Sequence, residues 1–249
     1  YNPSPLAGEG RVRGTYSYAP NGDLLSLTYA TSTTLMSLSY TYDNAHNILT
    51  QVKDGVTKQF SYDNLYQLTG VTKAGTQTES FSYDPVGNRL SSIDNASWSY
   101  NANNQLTGYG TTTLTYDSNG NTTGIESTSY GYDYENRLSN ITGTTITYKY
   151  DPMGRRIEKN VAGSITRFLW DGNTMIAELN ASNQINRLYT FNPQSNEPLA
   201  QHDLKGIYFT TTYYLLDHLM TPQKLINEQG VVVWSADYAA FGAVDVSVN

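Results

Sequence analysis

The stretch Ser80–Ile93, SFSYDPVGNRLSSI, decides the fold, because the chain restates it. Tyr83 is followed by an acid, a turn-forming string and an aliphatic residue. Tyr132 heads the same formula in YGYDYENRLSNI, and Tyr150 heads it in ITYKYDPMGRRIEK. Such self-similarity marks a structural unit that is repeated along the chain.

Aligning on the first residue of the Tyr-Asp pair gives the anchors Tyr18, Tyr42, Tyr62, Tyr83, Tyr100, Tyr116, Tyr132 and Tyr150, with Trp170 in the same role. Their spacing runs from 16 to 24 residues, so the period varies while the grammar holds. Two residues before each anchor stands another bulky residue: Tyr16, Tyr40, Phe60, Phe81, Trp98, Leu114, Tyr130, Tyr148 and Phe168. A spacing of two puts both on one face of a strand, with small, polar residues such as Ser17, Thr41, Ser61, Ser82, Ser99 and Thr115 on the other. Each unit therefore opens with a half-buried aromatic strand.

After the anchor comes an acid, at Asp43, Asp63, Asp84, Asp117, Asp133 and Asp151, and four residues after the anchor stands Gly22, Gly87, Gly120 or Gly154, or Asn104 or Asn136. Asp suits the first position of a type I turn, and Gly or Asn tolerates the left-handed conformation that closes the turn with a bulge. His46 and Tyr66 occupy the same place, and bulkier side chains there predict two turns built differently. The returning arm starts at Leu24, Ile48, Leu68, Leu90, Leu106 or Leu138, often with a second apolar residue three positions on, as in Leu68/Val71, Leu90/Ile93 and Leu138/Ile141. Strict alternation would separate those two, so either a bulge intervenes or both faces are covered. No long stretch sustains a helical period.

Composition narrows the function. Charged residues are 15 % of the chain against about 25 % in ordinary globular proteins, while Tyr contributes 22 residues and Gly 20. A net charge of −7 with 15 Lys and Arg leaves no basic stripe for a phosphate backbone, so nucleic-acid binding is not expected. Without cysteine there is neither a disulfide framework nor a thiolate metal site. No apolar run has transmembrane length. The chain begins at Tyr1 rather than Met, which suggests a piece of something longer.

These residues together resemble the Rhs/YD-repeat family of bacterial polymorphic toxins, Tc toxin C components and animal teneurins. The resemblance covers roughly Tyr16 to Gly242, with YDPVGNRL, YDPMGRRIEK and LLDHLMTPQKLINEQGVVVWSADYAAFG as its most specific elements. The last run is similar to the start of the Rhs-associated core segment through Asp217, His218, Leu219, Thr221, Pro222, Tyr238, Phe241 and Gly242, with Met220 in place of the expected Gly. The resemblance implies an all-β chain whose tandem hairpins form a spiralling sheet, part of a hollow shell, in a secreted or cell-surface protein. It divides the chain into a linker or edge at 1–14, repeats at 15–172, transitional repeats at 173–206 and the beginning of the core segment at 207–249.

The implied function is to enclose and help deliver a C-terminal toxin effector, with that effector and further shell repeats as partners. A surface adhesion or glycan-binding role is the alternative, and exposed strand edges offer a route to self-association. No enzymatic activity is expected: the family's aspartyl autoprotease motif follows the Tyr-x-x-Phe-Gly element, where this chain stops. Asp84-Pro85-Val86-Gly87 and Asp151-Pro152-Met153-Gly154 look like its cleavage string but read as repeat turns. Neither a cofactor nor a metal site is expected, since one Asp per hairpin does not converge oxygens on one ion. His218 reads as a structural hydrogen-bonding residue.

Overall fold

The computed structural model describes residues 12–248, which form 24 strands and no helix. Most of the segment read as a linker lies outside the described residues. Its end, Arg13–Gly14, already belongs to the first strand, Arg13–Tyr18, an edge strand of its sheet. Each strand pairs with its sequence neighbours. Arg13–Tyr18 through Arg89–Ser92 make an eight-stranded sheet, and Trp98–Tyr100 through Val244–Val248 make a sixteen-stranded one. The pairing is antiparallel throughout, as a meander of hairpins requires.

Two kinds of turn alternate. At one end of the strands lie tight two-residue turns such as Asp54-Gly55 and Ala74-Gly75, whose central residues both have positive φ. This is the primed turn whose twist matches that of the flanking strands. At the other end lies the turn opened by the Asp of each Tyr-Asp pair.

The question of residues three apart is settled by a bulge. Tyr62 faces Leu68 and Ser61 faces Gly70, so Thr69 is the extra residue, and Leu68 and Val71 fall on the same face opposite Tyr62 and Phe60. The unit at Tyr132 repeats this register with Leu138, Asn140 and Ile141. Tyr42, Tyr62, Tyr116, Tyr132 and Tyr150 all show the same slip beside them.

By the same count Leu90 does not start its returning arm. Arg89, six residues past Tyr83, holds the position that Leu68 and Leu138 hold elsewhere, and its guanidinium covers the Trp98 ring at 4.9 Å. Leu90 and Ile93 are exposed. A long side chain that lays its stem and flat head on an aromatic ring replaces an aliphatic one at this place.

The chain divides into two compact units. The first holds the described residues up to Tyr83, with Phe191–Gln201 and Thr211 onward. Its core joins two layers: Leu24, Leu27, Tyr29, Met36, Leu38 and Tyr40 on adjacent strands of one layer meet Leu215 and Ile226 of the other. The second unit, Asp84–Thr190 with His202–Thr210, keeps few fully buried side chains, Ala177 and Glu158 among them, and its aromatic face is half-exposed.

Candidate functional site

The anchor side chain is a clamp between hairpins. Tyr42 Oη donates to the Leu24 carbonyl at 2.8 Å, Tyr62 to Ile48 at 2.9 Å, and Tyr83 to Leu68 at 2.7 Å. In the second unit Tyr100, Tyr116, Tyr132 and Tyr150 reach Arg89, Leu106, Thr122 and Leu138 at 2.7–2.9 Å. In each case the acceptor lies six residues past the preceding anchor, on the residue where the bulge begins. The bulge breaks the ladder there, and the hydroxyl of the next repeat occupies the carbonyl.

Trp170 fills the same role through Nε1, 3.0 Å from the Arg156 carbonyl. Its hairpin, however, closes through the two-residue turn Gly172-Asn173 rather than through the Asp turn of the other repeats, because Asp171 pairs directly with Thr174. Tyr18, on the first strand, is exposed and stacks on Tyr16.

The acid holds the turn closed. Asp117 Oδ1 accepts the backbone N–H groups of Asn119 and Asn121, each at 2.9 Å, and Oδ2 accepts Asn121 Nδ2 at 2.9 Å. Asp43, Asp84, Asp133 and Asp151 repeat the arrangement with Asn47, Asn88, Arg137 and Arg155 as the residue four places on. At Asp63 the backbone bonds to Leu65 and Gln67 recur, and at the unit of Tyr100 an Asn, Asn101, replaces the acid. The side-chain amide four residues on, with the backbone N–H groups, holds Asp43 and Asp117 below the ordinary carboxylate range. Both carboxylate oxygens are thus engaged by the turn itself.

That residue four places past the acid was not singled out from sequence, yet its pattern was readable. It is Asn47, Gln67, Asn88, Gln105, Asn121, Arg137 or Arg155, always a side chain with donors to share. The second donor reaches the next turn: Asn88 Nδ2 to Asn104 Oδ1 at 3.1 Å, Asn121 Nδ2 to Asn136 Oδ1 at 2.8 Å, Arg137 to the Asp151 carbonyl at 3.2 Å.

Gly87, Gly120 and Gly154 close these turns at positive φ, as the sequence led one to expect. His46 (φ 66°) and Tyr66 (φ 62°) do so as well, so their turns are built like the rest. The closing bonds, His46 N to Asp43 O and Tyr66 N to Asp63 O, outweigh the strain of a left-handed non-glycine residue. His46 also reaches Asp23 at 2.9 Å.

The core-segment motif is one more copy of this turn. Asp217 Oδ1 accepts Leu219 and Thr221 N–H, Oδ2 accepts Gln223 Nε2, and Met220 takes the left-handed place at φ 62°. Leu216 stands where the anchor Tyr stands elsewhere and is buried. His218 packs edge-on against Tyr40 and lies 3.3 Å from its hydroxyl, joining the two layers of the first unit. Tyr238 Oη donates to the Pro222 carbonyl at 2.8 Å, the anchor bond again. Phe241 lies edge-on to Phe81 at 4.9 Å, and Gly242 closes its turn at positive φ.

Beside the apolar core of the first unit, Lys53, Lys58 and Lys73 of one layer and Lys224 of the other meet around a cleft of about 240 Å³. Lys58 and Lys73 bind the two oxygens of Asp237 at 2.6 Å each. Lys224 binds Asp54 at 2.8 Å. Lys53 donates only to neutral oxygens, Gln223 Oε1 at 2.7 Å and the Ala236 carbonyl at 2.5 Å, and burial draws its pKa down. Burial would raise the Asp237 carboxyl, but its two lysines outweigh that and hold it low. Among the described residues no cluster of three or more His, Cys, Asp or Glu could hold a metal ion. Nor is any helix long and apolar enough to cross a membrane.

Antiparallel hairpins in sequence order, anchored by a Tyr-to-bulge bond and closed by an Asp-capped turn, define a segment of a YD-repeat shell. The chain belongs to the teneurin YD-shell family, whose pattern it matches over residues 25–249. Among solved structures it is similar to the Photorhabdus luminescens Tc holotoxin pore, with a TM-score of 0.71 and 16 % identity. It is also similar to TcdB2-TccC3, at a TM-score of 0.70 and 16 % identity, and to TcdB2-TccC3 without its hypervariable C-terminal region, at 0.67 and 16 %. Each likeness covers 95 % of this chain and 15 % of the other, and at that identity it is one of fold. No curated protein matches the chain by sequence.

Proposed function

We propose that this segment is wall in a larger, secreted YD-repeat shell that encloses and helps deliver a C-terminal effector polypeptide, without an enzymatic role of its own. The observation that carries the reading is the half-exposed aromatic face of the second unit. A row of rings from Trp98 to Trp170 is held at fixed spacing by backbone clamps. It offers apolar surface to an unfolded chain without requiring one sequence. The fold likeness to Tc toxin structures supports it, one of which is described by the removal of a hypervariable C-terminal region.

The test is limited proteolysis of the full-length protein that carries this segment, against its C-terminal region expressed alone. Enclosure predicts strong protection in the full-length form, and equal susceptibility would refute it. The half-exposed rings also suit a glycan-binding surface. Saturable glycan-array binding, lost on replacing Tyr148 or Trp170 by Ala, would favour that second reading.

A further inference from the structure

One guanidinium on the aromatic face of the second unit is prepared for a partner it does not have. The bulge at Ile157 turns Arg156 onto the face of Tyr150, while Glu158 turns to the opposite face. There Glu158 is buried between Lys149 at 2.6 Å and Arg167 at 3.1 Å. Arg156 makes no ion pair among the described residues. Its guanidinium lies 5.3 Å from the Tyr148 ring centre and 5.2 Å from that of Phe168, a clamp from two rings.

Arg156 and Phe168 line a cavity of about 380 Å³ with Tyr150, Trp170 and Met175 as further walls. The other charged groups nearby are accounted for. Arg155 is paired with Asp151 and lies over Trp170. Glu178, the register partner of Phe168, accepts Tyr189 Oη at 2.7 Å. Lys159, the register partner of Tyr148, adds a second cation to this face, also without an ion pair among the described residues.

We propose that Arg156, clamped between Tyr148 and Phe168, is a carboxylate-binding site that takes an acidic side chain of an extended polypeptide lying across the aromatic face. Two rings restrict where the guanidinium can move, so less freedom is lost when a carboxylate matches its forked donors with two parallel bonds. The surrounding rings take the apolar neighbours of the acidic residue. This deepens the reading above by giving the enclosed polypeptide a chemistry: acidic residues set among apolar ones.

The test uses the 249-residue chain at low salt with two fluorescein-labelled peptides, one of alternating Glu and Leu and one with Gln for every Glu. The Glu peptide is expected to bind about 1.5- to 5-fold more tightly, the range for a partly exposed ion pair. Arg156→Gln should erase the difference, and Arg156→Lys should keep only part of it, since charge remains but the fork is lost. An unchanged circular dichroism spectrum would establish that the variants fold.

Equal binding of both peptides to the wild-type chain, or a preference that survives Arg156→Gln, overturns the assignment while leaving enclosure of a polypeptide intact. Displacement of the Glu peptide by a glucuronate oligosaccharide at lower concentration than by unlabelled peptide overturns it in favour of an acidic glycan. Absence of binding by either peptide removes the Arg156 site, whereas enclosure itself stands or falls on the protease experiment.

Discussion

Replacing Tyr62 by Phe isolates the contribution of one clamp. The substitution keeps the ring and its packing but removes the hydroxyl that lies 2.9 Å from the Ile48 carbonyl. A net protein hydrogen bond contributes about 0.5–1.5 kcal/mol, and the half-exposed setting lets water partly replace the lost donor, so about 0.5–1 kcal/mol is expected here. Because the clamp joins two neighbouring hairpins, the loss should be local. Amide hydrogen exchange is the assay: strands Ile48–Lys53 and Val56–Tyr62 should exchange about 2- to 5-fold faster, with the second unit unchanged. Replacing Tyr42, Tyr62 and Tyr83 together should give roughly the sum, since their acceptors Leu24, Ile48 and Leu68 are distinct. Exchange in Tyr62→Phe equal to wild type would refute the reasoning. So would acceleration spread evenly over the whole chain, because either would mean that the hydroxyl does not hold these hairpins together.

Three further outcomes follow from the same geometry. Burial pushes Tyr40 up to about 12 and Tyr29 higher still, so the fold favours the protonated phenols. Their contribution is complete below the unfolded value of about 10 and is lost as pH rises through the folded values, so tyrosinate absorbance and loss of strand signal should rise together in alkali. Asn121→Ala removes the amide that lowers Asp117. Its carboxyl, followed by NMR, should titrate higher, and the stability it supplies above the unfolded value of about 4, lost as pH falls through the folded one, should shrink. Met220→Gly relieves a left-handed non-glycine residue and should raise stability by about 0.5–1 kcal/mol in thermal unfolding, after the entropy that Gly adds to the unfolded chain; a loss would show that the Met220 side chain contributes packing.

Much of this was legible because it is local. A bulky residue two places before a Tyr, an Asp after it and a Gly three beyond that write a strand, a turn and a bulge within ten residues or so. What escaped was of three kinds. Arg89 does the work expected of Leu90, since hydropathy does not register a guanidinium that covers a ring. His46, Tyr66 and Met220 take a backbone conformation their side chains disfavour, because cooperative turn bonds override single-residue preference. The meeting of Leu27 and Met36 with Leu215 and Ile226 joins residues nearly 200 positions apart, and no period in the sequence records which sheet covers which.

The direction of the anchor bond has a consequence for how such a chain comes to be ordered. Each of these hydroxyls reaches backward, to a carbonyl only 10 to 18 residues earlier. A hairpin leaving a ribosome or a secretion channel N-terminus first therefore finds its acceptor already delivered, and for this bond it need not wait for anything still to come. Contacts of such short range form quickly. Pairing of hairpins can then proceed as zippering at a moving front, while the apolar face of Leu27 and Met36 is covered only when Leu215 and Ile226 arrive.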